Sequence, residues 1–548
     1  QSPHPPGSLQ NPFLALAGFA RGLSPSSLVW DIPVDEENGS ASADETYEGP
    51  LRLRSALVND DWPALRAVYA RIGGAALSAT FHNLGLEQYR LPVQEENALT
   101  DGEPLNLLEL AHAYGVFATL GSLNGVIRSE GDFPQPRLVL RVEDYRGGAV
   151  EWGEQPHSRT VVSSQLAYLV HHVLSDEAAR WRTLGYPNPL EIGRPAGAKS
   201  GKADSGRSTW AAGYTPQFVA LIWLGSEDEN APAPGVLPAA GIWHALMQHL
   251  HRNQPVQTWP MPPGLARVEV CDPSGLLPGE ACPNRVSEVF LENNQPTGVD
   301  NLYRRFQINR ETDRLATVFT PPELVEERVF LVVPPQAEEW ARSAGLPLPP
   351  TEYDLVQQPP PNPHAQISRP LPFSVVGGVV ELIGTAGGAD FASYSLQVGQ
   401  GINPTAWVEI QESTDQPVEN ALLARWDTRG LEGLHVVRLL VVRRDQRVET
   451  SLLQVTVDNT PPQVRIPYPL EGQVFTDQPT ITLQAEVSDN IGLQRVEWRL
   501  DGRAIGEARQ PPYALVWDAR RGEHRLEVLA VDLAGNQTLS EPVVFRVR

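Results

Sequence analysis

The stretch GAKSGKADSGRSTWAAGYTPQFVALIWLG, residues 197–225, contains the only two lysines of the chain, Lys199 and Lys202. Its first part is rich in glycine and serine, which predicts a loop. Its last part, from residue 211, predicts a turn and then a buried strand rich in Val, Ile, Phe and Trp. A Gly-rich loop next to such a strand, with helices upstream, favours an α/β or α+β domain.

Lys199, Ser200 and Gly201 form a chemically suggestive triplet. Glycine lets a substrate backbone approach closely, a hydroxyl donates a hydrogen bond and an ammonium attracts a carboxylate. The triplet therefore predicts a substrate-binding strand edge, although a solvated glycine-rich loop explains the same residues. For Lys202 we expect only a solvated loop charge.

Composition limits the classes of function. The chain has 548 residues and 51 prolines, which predicts several domains with many turns. Its formal net charge of -23 argues against nucleic acid and anionic membranes as partners. No apolar run is long enough to cross a membrane, and neither a signal peptide nor an initiating Met is present. We expect a processed or truncated piece of a longer protein.

Four regions follow from the residue patterns. Residues 1–255 contain helical periodicity at 106–121 and 163–181. Residues 256–365 are Pro-rich and predict an irregular extension with a linker. Residues 366–459 and 460–548 show short alternating strands with turn signals every 8 to 12 residues, which predicts two immunoglobulin-like β-sandwiches. The predicted fold class is thus multidomain, with an α/β (α+β) domain before two all-β domains.

Two cysteines, Cys271 and Cys282, lie in the short segment CDPSGLLPGEAC. Such a loop can close as a disulfide, which fits an extracytoplasmic protein. Two cysteines do not supply the ligand set of a structural zinc site.

Several segments resemble class A penicillin-binding proteins, the bifunctional peptidoglycan synthases. They are PGSLQNPFLALAGFARGLSPSSLVWDIPV at 6–34, LRSALVNDDWPALRAVYARIGG at 53–74, LNLLELAHAYGVFATLG at 105–121, SSQLAYLVHHVL at 163–174, the lysine stretch and VEVCDPSGLLPGEACPN at 268–284. The resemblance covers residues 1 to about 350 and implies the transpeptidase fold shared with β-lactamases. The sandwiches resemble C-terminal additions seen in this family.

The resemblance implies an acyl-transfer reaction on Ser8. In the family a serine attacks the penultimate D-alanine carbonyl of a stem peptide, and a lysine in Ser-x-x-Lys is its base. The lysine position here is Asn11, whose neutral carboxamide cannot accept a proton. Lys199, Ser200 and Gly201 match the family's third motif.

The second family motif, Ser-x-Asn, is also altered. Asp60 takes the place of its serine and Trp62 that of its asparagine, while Asn59 could substitute only after a loop shift. The candidate catalytic residues are therefore Ser8, Asn11, Asp60 and Lys199, in a degenerate domain with little or no acyl transfer.

Other polar residues have simpler explanations. We expect His82, His171 and His172 to be structural or solvated and not to replace the lost base. Residues at two turns offer oxygen ligands for calcium, but turn formation explains them equally well, so we expect no metal and no cofactor. These turn residues are Asp489, Asn490, Asp532, Gly535 and Asn536.

Three hypotheses of function remain: a serine D,D-transpeptidase with unusual motifs, a binding scaffold with an inactive transpeptidase domain, and a structural surface component. The expected ligands are stem peptides or β-lactams at the front domain, and surface proteins or glycans at the sandwiches. A protein partner or a preceding segment is expected to complete the central sheet. All three hypotheses place the protein outside the cytoplasm, at the cell surface, in the wall or in the periplasm.

Overall fold

The computed structural model describes residues 3–33, 46–86, 89–90, 99, 102–127, 132–139, 141–144, 150–153, 155–203, 207–225, 235–476 and 478–548. Two compact units divide the chain. The first contains residues 1–277 and 284–296, and the second contains residues 278–283 and 297–548.

The first unit combines helices with short antiparallel sheets. Its helices are α1 (Asn11–Phe19), α2 (Leu53–Asn59), α3 (Trp62–Ile72), α4 (Gly74–Asn83), α5 (Leu107–Ala118), α6 (Ser164–Leu174), α7 (Trp181–Leu184) and α8 (Val236–Leu250). Its strands are β1 (Leu28–Asp31), β2 (Gly49–Arg52), β3 (Ser122–Gly125), β4 (Arg141–Glu143), β5 (Val150–Gly153), β6 (His157–Thr160), β7 (Gly197–Ala203), β8 (Ser208–Tyr214), β9 (Val219–Gly225), β10 (Leu265–Asp272) and β11 (Asn284–Leu291).

Helices α5 and α6 confirm the two predicted helical segments. α5 begins at a capping box in which Asn106 accepts from the backbone of Glu109 and Glu109 accepts from that of Asn106. Ser163 caps α6 in a similar way through its side-chain oxygen. The apolar faces of both helices pack into one core with α1, all of whose residues are buried.

The loop predicted for the glycine-rich stretch is wrong, since residues 197–203 form strand β7. β7 pairs antiparallel with β8, and β8 pairs with β9. The small residues of β7 allow neighbouring side chains to pack closely. A Cβ on Gly197 would lie 2.4 Å from the ring of Tyr214. Glycine here therefore permits close packing instead of flexibility. Among the described residues, β7 and β9 form the two edges of this sheet.

A buried ion pair ties α2 to β11. The guanidinium of Arg54, 4% exposed, donates to both carboxylate oxygens of Glu288, which is fully buried, at 2.9 Å and 2.5 Å. Burial alone would raise the pKa of Glu288, but the hydrogen bonds and charge of Arg54 outweigh it and lower that pKa. Arg54 also bonds the carbonyl of His172 at 3.0 Å. The pair thus joins α2, α6 and β11.

We predict that Glu288→Gln lowers the free energy of unfolding by about 3 kcal/mol at pH 7, because it leaves the buried Arg54 charge with only the partly exposed Asp176 as counter-charge. Because the folded-state pKa of Glu288 lies below its unfolded value, the stabilisation by its carboxylate is complete above about pH 4.3. It is lost as the pH falls through the folded-state pKa. Urea denaturation at several pH values measures it.

Glu269→Gln is the matched control, because Glu269 is 62% exposed and its ion pair with Arg285 spans 3.5 Å. It should change the free energy of unfolding by less than about 0.5 kcal/mol. A loss for Glu288→Gln that stays constant down to acidic pH would contradict the prediction.

The second unit is rich in strands throughout. It contains β12 (Tyr303–Asn309), β13 (Arg314–Leu315), β14 (Val325–Leu331), α9 (Glu338–Ser343), β15 (Ala365–Arg369), β16 (Val375–Val376), β17 (Val379–Ala386), β18 (Phe391–Gln400), β19 (Val408–Thr414), β20 (Val418–Asp427), β21 (Gly433–Arg443), β22 (Val448–Val457), β23 (Gln463–Tyr468), β24 (Val474–Phe475), β25 (Thr480–Ser488), β26 (Leu493–Leu500), β27 (Arg503–Ala508), β28 (Ala514–Asp518), β29 (Gly522–Asp532), β30 (Gln537–Leu539) and β31 (Val543–Val547).

Two sandwiches follow one another in this unit, as predicted. In the first, sheet β15–β17–β20 accompanies sheet β16–β22–β21–β18–β19, and the core includes Trp426. In the second, sheet β23–β25–β28 accompanies sheet β24–β31–β29–β26–β27, and the core includes Trp498. Each sandwich has its own core cluster, since alternate residues of both sheets face inward.

The prediction of an irregular segment over 256–365 is wrong. Residues 265–291 form the β10–β11 hairpin, and residues 303–331 form the sheet β13–β12–β14. The prolines lie mainly outside these strands, where their missing N–H does not interrupt the ladders. The high proline content therefore indicated the turns correctly but gave no indication of the strands between them.

Both cysteines, Cys271 and Cys282, are disulfide-bonded and neither is free, as predicted. Cys271 lies near the end of β10, where it pairs with Arg285 of β11. Within the described residues, no helix is long and apolar enough to span a membrane.

Candidate active site

Ser8 lies in a 3₁₀ turn, Gly7–Gln10, that leads directly into α1. Gly7 adopts φ +52°, and a Cβ there would lie 2.1 Å from the carbonyl oxygen of Lys202, so only glycine fits. The turn places Ser8 next to β7, where the backbone N–H of Lys202 donates to Ser8 Oγ at 2.9 Å. Gly201 allows this approach, because its Cβ would lie 2.5 Å from the same oxygen. Ser8 is consequently only 1% exposed.

Asp60 is positioned by the end of α2, where it adopts a left-handed conformation with φ 59°. Its Oδ1 lies 2.7 Å from Lys199 Nζ, which reaches it from β7. Lys199 is 2% exposed and also donates to the carbonyl oxygens of Ser200 at 2.9 Å and Val58 at 3.4 Å. An ammonium has three N–H donors, so these three acceptors match its capacity.

Asn11, the first residue of α1, donates its side-chain N–H to the same Asp60 oxygen at 2.9 Å. The Ser8 hydroxyl donates to the carbonyl oxygen of Lys202 at 3.3 Å. Burial raises the pKa of Asp60, while Lys199, Asn11 and Ser8 each offset part of the rise. The structure thus brings together all four candidate catalytic residues, with the Asp60 carboxylate at their centre.

The remaining residues of the family motifs lie elsewhere or act differently. Asn59 is held outside the cluster, since its amide donates to Ala179 O at 2.8 Å and accepts from Thr183 Oγ1 at 2.7 Å. Trp62 begins α3 and packs against the core, so it offers no amide at the site. Ser200 follows Lys199 on β7 and is 7% exposed.

Sequence reasoning missed two contacts. It treated Lys202 as a solvated charge, which holds for its exposed side chain, but its backbone N–H bonds Ser8. It also did not anticipate the ion pair of the Asp60 carboxylate with Lys199. The sequence contained one signal for this ion pair: Asp60 introduces a carboxylate at a family motif, and Lys199 is one of only two lysines in the chain.

His82, His171 and His172 contact residues outside the cluster around Asp60. His171 is buried against Trp259, with ring centroids 4.0 Å apart, and burial lowers its pKa to about 3. His172 bonds Arg54, and burial with the nearby Arg54 charge lowers its pKa to about 4. His82 contacts the carbonyl of Tyr89 at 2.9 Å.

Comparisons with known proteins agree with this architecture. Residues 1–230 match the penicillin binding protein transpeptidase domain, residues 261–305 the C-terminal domain of penicillin-binding protein 1A, and residues 462–528 a bacterial Ig domain. The chain therefore resembles class A penicillin-binding proteins, with a transpeptidase fold followed by a bacterial Ig domain.

Individual relatives share part of their length with this chain. Penicillin-binding protein 1A of Clostridium botulinum (strain Hall) is 28% identical over 335 residues, covering 58% of this chain and 38% of the relative. Penicillin-binding protein 1A of Escherichia coli K12 is 24% identical over 374 residues, covering 53% and 43%. The chain thus spans well under half the length of these relatives.

A solved structure shows a similar extent of coverage. The crystal structure of penicillin-binding protein 1A from Haemophilus influenzae is 21% identical, with a TM-score of 0.46. The match covers 55% of this chain and 49% of the solved chain.

We predict that Asp60→Ala lowers the free energy of unfolding by about 3 kcal/mol, because it leaves the buried Lys199 ammonium without its counter-charge. Lys199→Met in the same chain should recover most of the loss, since an apolar side chain of similar length needs no partner. Urea denaturation of both single variants and the double variant measures the coupling. Additive losses would show that the two side chains do not stabilise each other.

Proposed function

We propose that the first unit is a peptidoglycan D,D-transpeptidase domain in which acyl transfer is impaired, in a protein that acts outside the cytoplasm. The proposal rests on the set of contacts around Asp60. The residue in the base position, Asn11, donates a hydrogen bond to Asp60, and the one buried lysine, Lys199, is paired with it. The family resemblance supplies the reaction, and these contacts supply the reason for its loss.

The nucleophile lacks an amine base. A serine hydroxyl needs a proton acceptor within hydrogen-bond reach, and Asn11 cannot provide one. Lys199 does not replace it, because its ammonium is held by Asp60 and two carbonyls. Ser8 offsets part of the rise in the pKa of Asp60, so Asp60 is the candidate proton acceptor for residual activity. Losing a positioned base slows such reactions by about 10²–10⁴-fold.

Retained binding is compatible with this loss. Lys199, Ser200 and Gly201 remain on β7 beside Ser8, so the strand edge that would hold a stem peptide or β-lactam keeps its residues. The side chain of Lys199 is 1% exposed, however, and therefore meets a substrate carboxylate only if Asp60 releases it. We infer weak recognition with slow or absent chemistry.

One observation favours a second candidate, a non-catalytic surface scaffold. Residues 365–547 form two sandwiches with separate cores, so the chain carries a large part that the transpeptidase reaction does not require. Such domains commonly serve adhesion or spacing, and their ligands would be surface proteins or glycans.

Acylation by a penicillin, followed by intact-mass spectrometry, tests the proposal. We predict that Asn11→Lys/Asp60→Ser, which restores the family's base and second-motif serine, acylates at least about 100-fold faster than the unchanged chain. Ser8→Ala should form no adduct. Asn83→Lys is the matched control for an added lysine, because Asn83 is exposed at the end of α4, and it should leave the rate unchanged.

Circular dichroism establishes that each variant is folded. Acylation of the unchanged chain as fast as that of the restored variant would contradict the proposed impairment. An adduct in Ser8→Ala would contradict the assignment of the nucleophile. No adduct in any folded variant would support the scaffold candidate.

A further inference from the structure

Three aspartates meet where the first sandwich joins the second. Asp458 follows β22, the last strand of the first sandwich, Asp489 follows β25, and Asp532 ends β29. One carboxylate oxygen from each lies within 4.8 Å of the others. The two turns of the second sandwich thus converge on the residue at which the first sandwich ends.

These carboxylates are removed from water. Asp458 and Asp532 are fully buried and Asp489 is 8% exposed. Burial raises the pKa of Asp458 and of Asp489, and their neighbouring carboxylates raise it further. Three like charges at this separation repel one another unless a cation lies between them.

Hydrogen bonds account for only part of the cluster. Asp458 Oδ1 accepts from Thr460 N and Asn490 Nδ2, and Asp489 Oδ2 accepts from the backbone of residues 491 and 492. Asp458 Oδ2 and Asp489 Oδ1 are buried, and no donor among the described residues reaches either oxygen. These hydrogen bonds therefore explain one oxygen of Asp458 and one of Asp489 and leave the other oxygen of each unexplained.

One positive side chain lies nearby. Arg304 lowers the pKa of Asp489, and its guanidinium donates to the carbonyl of Ile491 at 2.7 Å. A single guanidinium does not balance three carboxylates. Its hydrogen bond to Ile491 also leaves the two unpaired oxygens without a donor.

We propose that Asp458, Asp489 and Asp532 bind one Ca²⁺ ion at the junction of the two sandwiches. The three carboxylates offer oxygen donors, which hard divalent cations prefer. Ca²⁺ fits better than Mg²⁺, because it accepts irregular geometry and variable ligand number, whereas Mg²⁺ requires a near-ideal octahedron. Asn536 orients Asp532 by donating to both of its carboxylate oxygens at 2.8 Å.

The ion would stabilise the junction. Asn536 Nδ2 also donates to the backbone carbonyl of Asp458 at 3.0 Å, so the turn after β29 already contacts the first sandwich. A cation bound by all three carboxylates adds an attraction between the sandwiches in place of a repulsion. This inference is independent of the reaction at Ser8.

Isothermal titration of the full chain, freed of metal by a chelator, tests the proposal with Ca²⁺ and separately with Mg²⁺. The expected result is one Ca²⁺ per chain, at least tenfold tighter than Mg²⁺. Asp458→Asn and Asp489→Asn should each weaken Ca²⁺ binding by at least tenfold. Asp445→Asn, an exposed aspartate of the first sandwich paired with Arg447, is the control and should bind like the unchanged chain.

Thermal unfolding provides a second readout, which detects Ca²⁺ binding in the unchanged chain as well as in the variants. Free Ca²⁺ at about one hundred times its dissociation constant should raise the melting temperature of the unchanged chain by about 5 °C. The Asp→Asn variants without metal should melt no lower than the unchanged chain, because they lose repulsion. No Ca²⁺ binding up to about 10 mM, equal binding in the Asp→Asn variants, or preference for Mg²⁺ would overturn the proposal.

Discussion

The Asp60 carboxylate holds together the three segments that form the candidate active site. It accepts from Lys199 on β7 and from Asn11 at the start of α1, and Ser8 in the preceding turn offsets part of the rise in its pKa. Lys199 has one carboxylate partner and almost no solvent, so its charge is compatible with burial only while Asp60 is present. The position of Ser8 against β7 depends on the backbone N–H and carbonyl of Lys202, both of which bond the Ser8 hydroxyl.

The altered motif residues compensate one another. A lysine at position 11 would bring a second ammonium beside Lys199, and a carboxylate at position 60 would then face two cations. With Asn11 and Asp60 the cluster contains one cation, one anion and two neutral donors. This balance satisfies the buried charge but removes the amine that activates serine in the family. Stability of the site and its catalytic chemistry therefore favour different residues at positions 11 and 60.

Local patterns predicted much of the fold and less of the site. The apolar periodicity of residues 106–121 located α5, and alternation located both sandwiches. β7 was mistaken for a loop, since a partner that makes one of its glycines fit, Ser8 beside Gly201, is distant in sequence. The Asp60–Lys199 pair joins residues 139 positions apart, and no local pattern encodes such a contact.

The accessibility of the two lysines tests the central claim most directly. Acetylation with an amine-reactive ester, read by peptide mass spectrometry, compares buried Lys199 with exposed Lys202 in one experiment. We expect Lys202 to react readily and Lys199 to stay protected in the native chain, with protection weakened in Asp60→Asn. Equal reaction of both lysines in the folded, unchanged chain would contradict a buried ion pair beside Ser8.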